Sequence, residues 1–131
     1  MDKYEKTACQ YRMTYDHHTH TIYSHGKGTI EDNVKTAAAK GLSSIAITDH
    51  GPGHLTYGMK MEKIPEMKAE IQRLRDIYPS VRVLLGVEAN TLRVPPYLDV
   101  TEKGKEQVDI LLGGYRFGIL KAGMGRNYIY S

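Results

Sequence analysis

The chain has 131 residues, room for one domain but not for two of ordinary size. It is 40% hydrophobic and 25% charged, the make-up of a globular domain, and its net charge of +3 excludes nucleic acid as the leading partner. One cysteine excludes a disulfide framework within the chain, and no apolar run approaches membrane-spanning length.

Met1 to Gln10 is polar and reads as a loose lead-in without the apolar core of a secretory signal. With Cys9 the sole thiol, a reducing cytoplasm is the expected location. Tyr11 to His18 is the first predicted strand. Thr29 then offers an N-cap to a helix over Ile30–Lys40, with Glu31 and Asp32 in the turn the helix dipole favours and Gly41 placed to end it. Ser43–Thr48 (SSIAIT) is a short buried strand, and Asp49–His54 (DHGPGH) a loop. Ile64, Met67, Ile71, Leu74 and Ile77 recur at helical spacing until Pro79. Val81–Ala89 is a third strand, Val94–Pro96 a break, Asp99–Gln107 a weak helix, and Val108–Tyr115 a fourth strand. The alternation predicts a parallel sheet with helices outside, either an open α/β sheet or the first half of an α/β barrel.

Four of the six histidines fall in Tyr15–Gly28, YDHHTHTIYSHGKG. Residues i and i+2 of a strand share a side, so His18 and His20 can converge on one cation while His17 faces away. The later strands run out at Asp49-His50, at Glu88 and at Arg116, all on the C-terminal side, where parallel α/β folds gather catalytic groups. Imidazoles with a carboxylate suit Zn²⁺, Mn²⁺ or iron, and a carboxylate can bridge two ions. Ser24 lacks the surroundings of a nucleophile elbow and is expected to shape its loop. Gly26-Lys27-Gly28 is too short for a phosphate-binding P-loop, and Lys27 is expected in solvent.

Three ordered motifs, DHHTHTIYSHG, AITDHGPGH and LLGVEAN, closely resemble the PHP (polymerase and histidinol phosphatase) family, nearest its stand-alone bacterial phosphoesterases, over about Tyr15 to Phe117. The resemblance implies a distorted seven-stranded (β/α) barrel with up to three metal ions, of which this chain would supply the N-terminal half as one truncated domain, 1–131. It implies that His18 and His20 bind one ion, that Glu88 bridges it to a second, and that His25 and His50 serve a third. Asp16 and Asp49 would orient histidines from behind or merely cap strand ends. His54 would line the mouth of the site or sit in solvent.

Two departures stand out. Arg116 occupies a position where relatives carry a metal-binding histidine; it cannot ligate a cation, but it can clamp a substrate phosphate, repel an ion, or lie on the surface. Family members also continue through a further histidine and a late D-x-H pair, whereas all six histidines here are at or before His54. A second copy or a missing C-terminal half would then cover the exposed sheet edges. The implied activity is hydrolysis of small phosphate monoesters, histidinol phosphate among them, by metal-activated water. The alternatives are a catalytically inactive metal-binding or interaction fragment, and a nuclease or polymerase-associated module, against which the lack of a basic, aromatic-interleaved groove counts.

Overall fold

The computed structural model describes residues 11–91 and 97–114. The lead-in over 1–10, the break at Val94–Pro96, Arg116 and the segment Lys121–Ser131 lie outside the described residues.

Strands β1 (Tyr15–Thr19), β2 (Ser44–Ile47), β3 (Arg82–Asn90) and β4 (Ile110–Gly114) pair in the order β1-β2-β3-β4, each with its neighbour in parallel. A doubly wound sheet reverses its strand order at a switch point. This sheet never reverses, so it curls into half of a β/α barrel. Helices α1 (Ile30–Ala39) and α2 (Ile64–Ile77) pack against β2, β3 and each other. The weak helix expected over Asp99–Gln107 is the single turn α3 (Glu102–Lys105), capped by Thr101 Oγ1 accepting from Gly104 N at 3.1 Å.

Local chemistry sets the helix ends. Thr29 Oγ1 accepts from Asp32 N at 3.1 Å while Asp32 Oδ2 accepts from Thr29 N at 2.8 Å, a reciprocal capping box that starts α1. Gly41, at φ 69°, stops it in the left-handed region where other side chains are strained. In α2 the buried stripe is Ile64, Met67, Ile71 and Leu74. Ile77, expected to complete it, is half exposed, and Tyr78 packs against the core in its place. At roughly 100° per residue Tyr78 falls in the middle of the stripe and Ile77 about 100° off it, so the helical period itself selects Tyr78.

On β3 the alternation divides two environments. Val83, Leu85, Val87 and Ala89 belong to the core under the helices. By strand periodicity Glu88 and Asn90 face the opposite, concave side, and both are buried. The barrel-facing surface therefore carries its polar groups at the C-terminal end of the sheet.

The first strand is shorter than expected and irregular. Tyr15 pairs with Ser44 and Asp16 with Ile45, but Thr19 pairs with Ile47, so β1 fits one more residue than β2 into the same span. Such a bulge re-aims the side chains around it. It falls on His17 and His18.

Candidate metal centre

The centre forms where β1, β2 and β3 end. His20 follows β1 directly, and its backbone carbonyl backs onto Gly26, where a Cβ would lie 2.4 Å from the His20 oxygen. The Thr21–Gly26 turn closes on this contact, with Gly26 N donating to Thr21 O at 2.9 Å. Beyond Ile47 the β2 ladder is interrupted and then resumes for one residue, where His50 bridges to Glu88. Glu88 N donates to Asp49 O at 3.0 Å and Gly51 N to Glu88 O at 2.9 Å. That resumed step sets His50 beside Glu88.

Four side chains meet there. Glu88 Oε2 lies 3.0 Å from His18 Nε2, 3.3 Å from His20 Nε2 and 3.1 Å from His50 Nδ1. His18 Nε2 and His20 Nε2 are 3.2 Å apart. His25 stacks nearby, its ring centroid 4.4 Å from His20 and 4.8 Å from His50. Two donor sets result, His18–His20–Glu88 and His20–His25–His50, each with its ligand atoms within 4.8 Å of one another. His20 belongs to both.

The donor set fits a divalent cation. Donors bound to one zinc at about 2.0–2.2 Å lie roughly 3–4 Å apart, close to the separations found here. A carboxylate oxygen has two lone pairs in its plane, too few for three well-aligned imidazole donors, whereas lone pairs pointing inward from several sides suit a metal. Burial holds the His20 imidazole below the usual histidine range, and the adjacent His25 adds to the shift. This favours the neutral ring that a metal requires.

The surroundings sort the other expected residues. His17 faces away, with Nε2 2.8 Å from Ser44 Oγ. Asp16 does not reach an imidazole; its Oδ1 accepts from His18 N at 3.2 Å and so braces backbone. Asp49 is fully buried and accepts from Thr21 N and Thr21 Oγ1, both at 2.7 Å, and from Ser24 Oγ at 2.5 Å. His54 stacks on His50 with centroids 4.5 Å apart, while its Nδ1 accepts from Thr56 N and Tyr57 N and shapes the loop.

Two contributors escape sequence reasoning. Ser24 links Asp49 to His20, and only the folded turn brings these three together. Asp99 accepts from Asn90 N at 2.8 Å, Asn90 Nδ2 at 2.6 Å and Gly53 N at 2.8 Å, tying the DHGPGH loop to the end of β3. It lies outside every motif, so no sequence signal announces it.

A family model described as the PHP domain matches residues 16–124. The chain is 37% identical over 113 residues to a protein named probable phosphatase from Caldanaerobacter subterraneus subsp. tengcongensis, covering 82% of this chain and 41% of that relative. Proteins of the same name from Acetivibrio thermocellus and Aeromonas hydrophila are 34% and 30% identical, each over 110 residues, covering 79% of this chain and 42% and 41% of themselves. The chain thus spans about two fifths of the length of these curated relatives.

Proposed function

The chain belongs to the PHP domain family, and from that premise we propose that it is the N-terminal, metal-carrying part of a phosphatase acting on small phosphate monoesters in the cytoplasm, with histidinol phosphate among the candidate substrates. One observation carries the proposal: a single buried carboxylate oxygen, Glu88 Oε2, lies within 3.3 Å of three imidazoles from two segments of the chain. The relatives' names add phosphatase as the activity.

In this reading His18, His20 and Glu88 hold one ion, and His25 and His50 join His20 around another, with Zn²⁺, Mn²⁺ or iron as the candidates. A bound divalent cation screens the negative charge of a phosphoester and makes a nearby water acidic enough to supply hydroxide near neutral pH. The chain supplies the frame. His50 and Glu88 are buried and fix the floor, whereas the His18 side chain is 55% exposed and leaves the cluster open to an incoming anion. His54, stacked on His50, is proposed to line the mouth of the site. Arg116, outside the described residues, is proposed as a clamp on the substrate phosphate. No helix among the described residues is long and apolar enough to cross a membrane.

The test is metal content of the purified chain, with turnover of p-nitrophenyl phosphate in added Mn²⁺ or Zn²⁺. Bound metal and turnover, both lost in His20→Ala, are the expected result. A wild-type chain that takes up no metal refutes the proposal. Metal bound without turnover supports the second reading, a metal-binding module that does not catalyse alone.

A further inference from the structure

Ser24 approaches His20 but belongs to neither donor set. It sits in the turn after His20, with its backbone N donating to Thr21 O at 3.1 Å. Its hydroxyl is 2.5 Å from Asp49 Oδ1 and 3.5 Å from His20 Nδ1. A serine hydroxyl has one proton to give and lone pairs with which to accept. The short contact takes the proton, because an acceptor carboxylate has none to offer. The lone pairs then face His20 Nδ1, a long contact at 3.5 Å that is attractive when Nδ1 carries the hydrogen.

We propose that Ser24, held by Asp49, is a positioning residue that fixes the His20 ring with Nδ1 protonated and the Nε2 lone pair turned toward Glu88 and the shared cation position. The proposal rests on the metal-centre reading above. Three observations converge on it. Asp49 is fully buried, and all three of its hydrogen bonds come from neutral donors, Thr21 N, Thr21 Oγ1 and Ser24 Oγ. His20 Nε2 is the atom aimed at Glu88 Oε2 and His18 Nε2, so Nδ1 is the ring's outer face. His20 alone is common to both donor sets, so a rotation of its ring disturbs both at once. Partners behind a ligating histidine fix its tautomer and raise its basicity, and their loss typically weakens metal binding by 10–100-fold. A hydroxyl interposed between carboxylate and imidazole passes that influence on without placing a second full charge against the ring.

The experiment uses the full chain with ¹⁵N-labelled histidine and Zn²⁺ as the probe. In the zinc-loaded wild type, His20 is expected to show a protonated, exchange-protected Nδ1 and a ligating Nε2. Ser24→Ala should expose that proton to rapid exchange and weaken Zn²⁺ binding, measured by chelator competition, about 10–100-fold. Ser24→Thr, which keeps the hydroxyl, should restore both. If the alanine variant does not fold, Ser24→Cys keeps the volume with a weak donor and should show the same loss in smaller measure. Unchanged His20 exchange and Zn²⁺ affinity in a folded Ser24→Ala variant overturns the proposal and leaves the metal-centre reading standing. A wild type that binds no Zn²⁺ overturns both.

Discussion

Replacing Glu88 by glutamine should separate what the centre does for function from what it costs the fold. The side chain is 9% exposed, and its Oε2 faces imidazole nitrogens at 3.0, 3.1 and 3.3 Å. Desolvation at so buried a position disfavours the charged form of a carboxylate. Burying a charge costs several kcal/mol even where it is paired, and substitution by a neutral group of similar volume is often neutral or stabilising by roughly 1–4 kcal/mol. Taking the lower end, about 1 kcal/mol, because hydrogen bonds to the rings offset part of the cost, metal-free Glu88→Gln should melt about 3–6 °C higher than wild type. With Zn²⁺ the order reverses. An amide is a far weaker ligand than a carboxylate, and the loss should exceed the 10–100-fold seen when only an orienting partner is removed. A 100-fold loss corresponds to about 2.7 kcal/mol. Thermal melts with and without Zn²⁺, paired with chelator competition, measure both arms. A Glu88→Gln variant that melts lower without metal and binds Zn²⁺ within threefold of wild type would refute the reasoning, because Glu88 would then be a structural hydrogen-bonding group.

Gly26→Ala drives a Cβ against the His20 carbonyl, and backbone cannot yield cheaply; Zn²⁺ affinity should fall at least 10-fold while the amide spectrum of β4 stays unchanged. Leu74 is fully buried and Ile77 half exposed, so urea denaturation should show a loss of about 2–5 kcal/mol for Leu74→Ala and under about 1 kcal/mol for Ile77→Ala. The Thr29 backbone and hydroxyl bonds hold Asp32 below the usual carboxylate range. A depressed pKa gives stability that is present above the unfolded value of about 3.9 and is lost as pH falls through the folded one. Asp32→Asn should therefore lower the urea midpoint at pH 7, and the gap to wild type should close as pH falls through the lowered folded value.

The elements were legible because each obeys a local rule. Thr29 with Asp32 begins α1, Gly41 ends it, and Ile64, Met67, Ile71 and Leu74 trace the buried face of α2. Strand parity separated His17 from His18 and His20, and the rings do part: one toward Ser44, two toward Glu88. The order β1-β2-β3-β4 was not legible, since an open sheet and a barrel share the same alternation and differ only in which edge each new strand joins. Asp49 lies in a motif, but its hydrogen-bonded route toward His20 runs through Ser24, a contact that no spacing rule encodes.

What the spacing rules miss has a common physical origin: the centre is built from departures from regular structure. The β1 bulge puts an extra residue between Asp16 and Thr19, and the β2 ladder lapses after Ile47 before His50 bridges to Glu88. A regular strand offers side chains at fixed intervals on one face, which serves packing but rarely directs several lone pairs at one point. Irregular backbone does so at a cost in unpaired groups, and this chain meets that cost with two carboxylates, Asp49 fully buried and Asp99 partly so. Asp49 accepts from the Thr21–Ser24 turn, and Asp99 accepts from the N–H groups of Asn90 and Gly53 where the DHGPGH loop meets the end of β3. Neither sits in a donor set, yet each holds a segment that carries one, so the histidines keep their aim through side chains that never meet the ligand.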